Sequence, residues 1–306
     1  MIKNENKSIK DIIIRATAVF TAVIPFTVSS AVFMGFNIYN IIFIALVLMF
    51  YFAKSDSKKI MPVFAGFLIV MFVSNTFAAT AALVALIAAL IVAAIYFFYP
   101  KALTIKSNPV TAGFSLATAL TITVMLTTYY FGIGASGNNV KEMIASYLSL
   151  GFHPNWRGVL YGTVVMVIMI TFPRKFKKFC KTVKAPFIAI IFTLILNLFL
   201  NPSDLPTSIT EIGNFSLNNI SASLGLIDRI PVHSLAVVMI VGAWESVRWG
   251  EVKKAFSSLV AIICFTASAV STLYFGYIYG VLISAVIYAI YQIYCTKKSK
   301  ISEISA

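Results

Sequence analysis

The sequence predicts an all-α polytopic membrane protein with about ten transmembrane helices. Three observations carry that prediction. Apolar residues make up 60% of the 306-residue chain and charged residues only 11%, against about 45–50% and about 25% in soluble domains. Apolar runs close to the ~20 residues needed to cross a bilayer recur along the chain. Lys and Arg cluster in alternate loops, as the positive-inside rule requires. The same balance excludes a soluble enzyme, and it excludes a disordered chain, which needs low hydrophobicity.

The candidate spans run near 12–33, 37–53, 60–76, 78–99, 109–132, 157–172, 185–201, 231–247, 255–271 and 274–295. Lys3, Lys7 and Lys10 precede the first run. That run is long and has no clear small-residue cleavage site, so it reads as a first span rather than a signal peptide. The last two spans are divided only weakly, at Ser271–Thr272. Short spans suit helices that are broken or packed inside the protein.

With the N-terminus in the cytoplasm, alternating loops place 21 of the 24 Lys and Arg inside. Only Lys141, Arg157 and Arg229 fall outside. The net charge of +14 then resolves into an inside face of +15 and an outside face of −1. The positive charge is therefore a trace of topology, and no nucleic-acid partner is expected. The prediction is an even number of spans in the inner (plasma) membrane, with both termini cytoplasmic and the lipid bilayer as partner.

Two external stretches are long. Residues 133–156 begin Gly-rich and then place Val140, Met143, Ile144, Tyr147 and Leu148 at helical spacing. A short interfacial helix is predicted there. Residues 202–230 hold Pro202, Pro206 and several Asn and Ser, with no spanning run.

The chemistry-bearing residues are sparse. There are only two histidines, and Cys180, Cys264 and Cys295 lie far apart. No metal site, cofactor or disulfide framework is expected. No Asp, Glu, Lys, Arg or His lies mid-span. Arg15 and Glu245 sit near cytoplasmic ends and His233 near an external end, where each can reach the interface. Serines without a base make no nucleophile, so no enzyme is expected. Backbone remains for recognition. Pro25 removes a helical hydrogen bond, and reads either as a kink or as a break whose freed backbone faces a cavity. Pro62 either begins a helix or, if that helix starts at mid-depth, leaves N–H groups and a positive dipole end that hold an anion. The run Arg174-Lys175-Phe176-Lys177-Lys178 reads as a cytoplasmic anchor, with anionic-lipid binding as a minor addition. Trp244 and Trp249, with Tyr96, Phe97, Phe98, Tyr129 and Tyr130, read as interfacial belts.

These pieces resemble the SulP (sulfate permease) family of anion transporters. Asp11 to Pro25, followed by Ala31, Gly35 and Tyr39, is similar to that family's first two spans. Ile60-Met61-Pro62-Val63-Phe64-Ala65 sits where its half-length third helix begins, and Pro109 to Phe114 resembles the start of its fifth span. Pro173 to Phe176 with Ala185-Pro186 resembles its sixth-to-seventh connection. Ile230-Pro231 through Ile240, with Trp249 to Lys254, resembles its twelfth span and exit. Phe275-Gly276 and Gly280-Val281-Leu282 resemble its last span.

The resemblance implies a shortened version of a seven-plus-seven inverted-repeat transporter fold with core and gate domains. Spans eight to eleven and the cytoplasmic STAS domain have no counterpart. Its implied organisation is 1–107 as half of the core, 108–202 as the first half of the gate, 203–230 as an external linker, and 231–306 as the second half of the gate with a short tail. Its implied activity is transport of a small inorganic or carboxylate anion such as sulfate. The implied binding residues are Thr21, Pro25, Phe26, Pro62, Val63, Phe64 and Ala65. Phe26 stands where the family often has glutamine, which removes a polar contact. The missing spans also allow a second reading. The chain is then a non-transporting membrane protein, either a degenerate homologue or a subunit completed by a partner supplying those spans. The family resemblance further implies a homodimer.

Overall fold

The computed structural model describes residues 9–36, 38–52, 76–98, 108–135, 137, 140–200, 230–247 and 249–304. Among them every regular element is helical. In chain order these are α1 (Ile9–Met34), α2 (Ile38–Phe52), α3 (Thr76–Phe98), α4 (Pro109–Phe131), α5 (Val140–Leu150), α6 (Trp156–Lys175), a 3₁₀ turn (Phe179–Lys181), α7 (Ala185–Leu200), α8 (Val232–Ser246), α9 (Trp249–Ala255) and α10 (Leu259–Ile304). The expected third span, the expected half-helix at Pro62–Ala65 and most of the external stretch 202–230 lie outside the described residues.

Among the described residues, four helical segments are long and apolar enough to cross a membrane: Thr17–Met34, Pro109–Phe131, Trp156–Lys175 and Leu259–Gly276. Shorter apolar helices cover Asn40–Met49, Thr80–Ile95, Ala185–Asn197, Val232–Ser246 and Tyr279–Cys295. The helix expected from the spacing of Val140 to Leu148 is α5.

The chain divides into two compact units. One holds the described residues of 1–105, 129–132 and 154–239. Here α1, α2 and α3 pack together, α6 packs on α7, and α7 packs on α1. The core is built on small side chains. Ala81, Ala82, Ala85, Ala88 and Ala89 of α3 are fully buried against Val19, Val23 and Val28 of α1 and Ile44 and Leu48 of α2. Small residues let membrane helices approach closely enough for dispersion to hold them, since lipid removes the hydrophobic drive. The turn from α1 to α2 is closed at Gly35, whose φ of 65° favours glycine. Fully buried Asn40 secures that turn by donating to the Gly35 carbonyl at 2.7 Å and the Ser30 carbonyl at 3.3 Å, and by accepting the Ser30 hydroxyl. Asn40→Leu keeps the volume and strands those partners. It is expected to cost about 1–3 kcal/mol, read from unfolding in mixed detergent micelles. Unchanged stability would show that the turn does not depend on the amide.

The other unit holds 106–128, 133–153 and 240–306 among the described residues. Its core joins Ala112 and Ala119 of α4, Ala243 and Val247, Val252 and Ala255 of α9, and Phe265 of α10. Gly113 lies against the backbone of Phe265, where an added Cβ would fall 3.2 Å from its Cα. Trp244 stacks on Trp249 at 5.8 Å and donates its indole N–H to the Thr123 hydroxyl at 2.8 Å.

α10 is two helices rather than one, and its division corrects the expected one at Ser271–Thr272. The break is at Gly276, with φ 81° and ψ 169°. An added Cβ on Gly280 would fall 2.7 Å from the Thr272 Cα, and Ser268 and Ser284 hydroxyls meet at 2.7 Å. These pairs lie four and eight residues either side of Gly276, so the two arms fold back antiparallel. Ser271 and Thr272 do not break the helix. Both hydroxyls donate to the Ser268 carbonyl, at 2.9 and 2.8 Å, which is how such residues sit inside a helix.

Candidate functional site

Three of the expected binding residues, Thr21, Pro25 and Phe26, lie on α1, which runs unbroken through Pro25. The broken-helix reading of Pro25 is thereby corrected. Pro25 is buried and Phe26 half-buried. Pro25 has no N–H, so the Thr21 carbonyl one turn earlier receives no helical bond from it. Pro62, Val63, Phe64 and Ala65 lie outside the described residues, so three of the seven expected residues have a described geometry.

The Thr21 side chain is already engaged. It is buried, donates to the Thr17 carbonyl at 2.8 Å and accepts the Lys184 amide N–H at 3.1 Å. Lys184 immediately precedes α7, so Thr21 serves one of the four orphan amides at that helix start. Further along α1, Thr27 donates to the Val23 carbonyl at 3.0 Å and Ser29 to the Pro25 carbonyl at 2.7 Å. With Ser30 these are buried hydroxyls distributed around α1. Back-bonding of this kind makes polar residues tolerable inside an apolar helix.

A second polar cluster was not expected. His233, read from sequence as reaching the interface, is instead fully buried near the start of α8. Its Nδ1 lies 2.5 Å from the Tyr129 carbonyl. That partner makes Nδ1 the N–H donor in the neutral ring. The Nε2 atom then carries a lone pair and has no partner among the described residues. The Tyr161 and Ser234 hydroxyls are also buried without partners there. Backbone makes room for the ring. An added Cβ on Gly158 would fall 2.6 Å from the His233 Nδ1. Gly132, at φ 66°, turns the chain so that Asn155 can donate its amide N–H to the Phe131 carbonyl at 2.7 Å. The Asn155 side chain accepts the Gly158 amide and caps α6. One turn on, Gly162 packs against the Tyr130 ring and Val237. The sequence did carry a signal here. Gly158 and Gly162 form the Gly-x-x-x-Gly spacing of closely packed membrane helices.

Outside the helices, burial pushes the Cys180 thiol up, with the nearby Lys184 charge acting in the opposite sense. The thiol form is thereby favoured, which is the less reactive one.

Fold and sites together define an all-helical, membrane-associated protein. No protein-family model, curated protein or solved structure matches the chain.

Proposed function

We propose that this protein carries a small inorganic or carboxylate anion across the membrane as a SulP-like secondary transporter with a shortened core. The reading includes ten spans, both termini in the cytoplasm and an inner (plasma) membrane location. Pro25 buried within α1 carries it, because proline interrupts the backbone ladder of an apolar helix, as in the discontinuous helices of transporters; the Thr21 carbonyl it frees is an acceptor, so the donors to the anion come from elsewhere. In this mechanism the core moves against the gate. The anion is held by the amino-terminal dipole of the helix that the sequence leads one to expect at Pro62. Phe26 and Phe64 shape the cavity, and the Thr21 hydroxyl is the one donor that α1 offers there. The Thr21 hydroxyl contributes less than its type implies, since it already serves Thr17 and Lys184.

The test is uptake into reconstituted vesicles of labelled sulfate, bicarbonate and chloride. Wild type should accumulate at least one of them. Pro62→Leu, which replaces the ring by an open side chain and adds an N–H that lets the helix extend back past that start, should displace the dipole end and cut that uptake about tenfold or more while the protein still inserts. Absence of uptake of any of the three would refute transport.

The complete internal bonding of Thr21, Thr27 and Ser29 favours a second reading. Hydroxyls that each donate to a carbonyl of their own helix need no solute, as expected of a non-transporting homologue or of a subunit completed by a partner. A homodimer fits either reading. Mass measurement of the purified protein in detergent distinguishes a dimer and a heteromer from a monomer.

A further inference from the structure

The geometry points to a binding site for one anionic phospholipid, formed by α6, α7 and the basic loop that joins them. It requires membrane insertion but not transport, so uptake experiments and this proposal fail independently. Val164, Val167, Ile168 and Phe172 of α6 face Ile188 and Phe192 of α7 across an apolar groove of about 390 Å³. Thr163 also lines it, but its hydroxyl is turned to the Val159 carbonyl at 2.7 Å and the Tyr130 hydroxyl at 2.9 Å. The wall is therefore entirely apolar. From Thr163 to Phe172 the groove runs about 14 Å at 1.5 Å per residue, close to half of a ~30 Å hydrocarbon core. It has the depth of one leaflet, and its volume lies in the range of ligand sites, about 300–1,000 Å³.

The occupant is identified by charge at one end of the groove. The loop holds Arg174, Lys175, Lys177, Lys178, Lys181 and Lys184, with no acidic residue among them. All but the half-buried Lys184 are exposed, and none is ion-paired among the described residues. Two of these lysines continue the groove's own stripes. Val164, Ile168 and Lys175 share one face of α6, and Lys184, Ile188 and Phe192 follow each other at four-residue spacing into α7. Phe176 packs tilted against Phe172 at 4.5 Å and Phe179 meets it edge-on at 6.3 Å, and both tie the loop to the groove's end. An acyl chain fits the groove, and a phosphate meets Lys175 and Lys184. A neutral lipid satisfies only the first half, and a free anion only the second.

Native mass spectrometry of the full chain tests this, with phosphatidylglycerol and phosphatidylcholine of identical acyl chains offered in detergent. Wild type should retain one phosphatidylglycerol preferentially. Lys175→Gln and Lys184→Gln should each lower that retention about fivefold. Lys253→Gln, on α9, should not. Val167→Trp fills a lipid-facing groove and should abolish retention without lowering the melting temperature. Equal retention of the two lipids would overturn the site. So would an equal loss on Lys253→Gln, which marks diffuse attraction to positive charge. Undiminished retention by Val167→Trp would show that no acyl chain occupies the groove. If Val167→Trp does not fold, the lysine variants decide alone.

Discussion

Replacing Gly276 with valine is expected to open the terminal helical hairpin. The residue holds φ 81° and ψ 169°, a region essentially closed to side-chain-bearing residues and costing about 1–3 kcal/mol when one is forced there. A β-branched side chain falls at the upper end. The loss extends beyond the turn, because the turn sets the register of both arms. Thr272 meets Gly280, and Ser268 bonds both Ser284 and the Val110 carbonyl, the latter at 2.9 Å. Opening the hairpin takes the buried Ser284 hydroxyl from Ser268, at about 1–3 kcal/mol, while Ser268 keeps the Val110 carbonyl and Thr272 the Ser268 carbonyl. The direct readout is a disulfide between cysteines placed at 268 and 284, with Cys180, Cys264 and Cys295 replaced by serine or alanine. It should form readily in the parent and fail with Gly276→Val. Gly250→Val is the control, since nothing lies within 4 Å of an added Cβ there. If Gly276→Val leaves cross-linking and unfolding unchanged, the antiparallel hairpin is wrong.

The second large effect is expected at Gly158. An alanine methyl there would lie 2.6 Å from the His233 Nδ1. The ring has no simple retreat, because Nδ1 is held by the Tyr129 carbonyl at 2.5 Å. Overpacking of this kind costs about 1–3 kcal/mol. His233→Ala removes the obstruction but strands the Tyr129 carbonyl, also at about 1–3 kcal/mol. The two changes should therefore not add. In the double variant the methyl enters space the ring has left, and the combined loss should fall short of the sum by about 0.5–3 kcal/mol. A complete cycle of unfolding measurements in one detergent decides it. Strict additivity would mean that the ring and the glycine do not touch.

The predicted spans that fall within the described residues correspond to apolar helices, and the short helix at Val140–Leu150 was legible from spacing alone. Both follow from local properties, the apolar run length and the position of side chains around a helix. The last boundary was not legible. Ser271-Thr272 looks like a break because hydroxyls compete for backbone, whereas Gly276 in an apolar run looks like a tolerated residue. In the fold the hydroxyls bond back to Ser268 and the glycine takes the positive φ. The candidate site divides in the same way. Pro25 was visible as an interruption of the helix. That Thr21 is committed to Lys184, 163 positions along the chain, was not.

By itself, then, the sequence determined the solvent of this protein and the rhythm of its helices. Lipid acts on each segment through apolar length and charge, which can be read without knowing any neighbour. The tertiary structure alone decided which polar groups are spent and which are left over. Thr21 and Asn40 are tied to carbonyls and amides of other segments, while the His233 Nε2 is buried beside Gly158 with no partner among the described residues. A hydrogen bond depends on what a distant part of the chain brings within about 3 Å, and no local pattern carries that information.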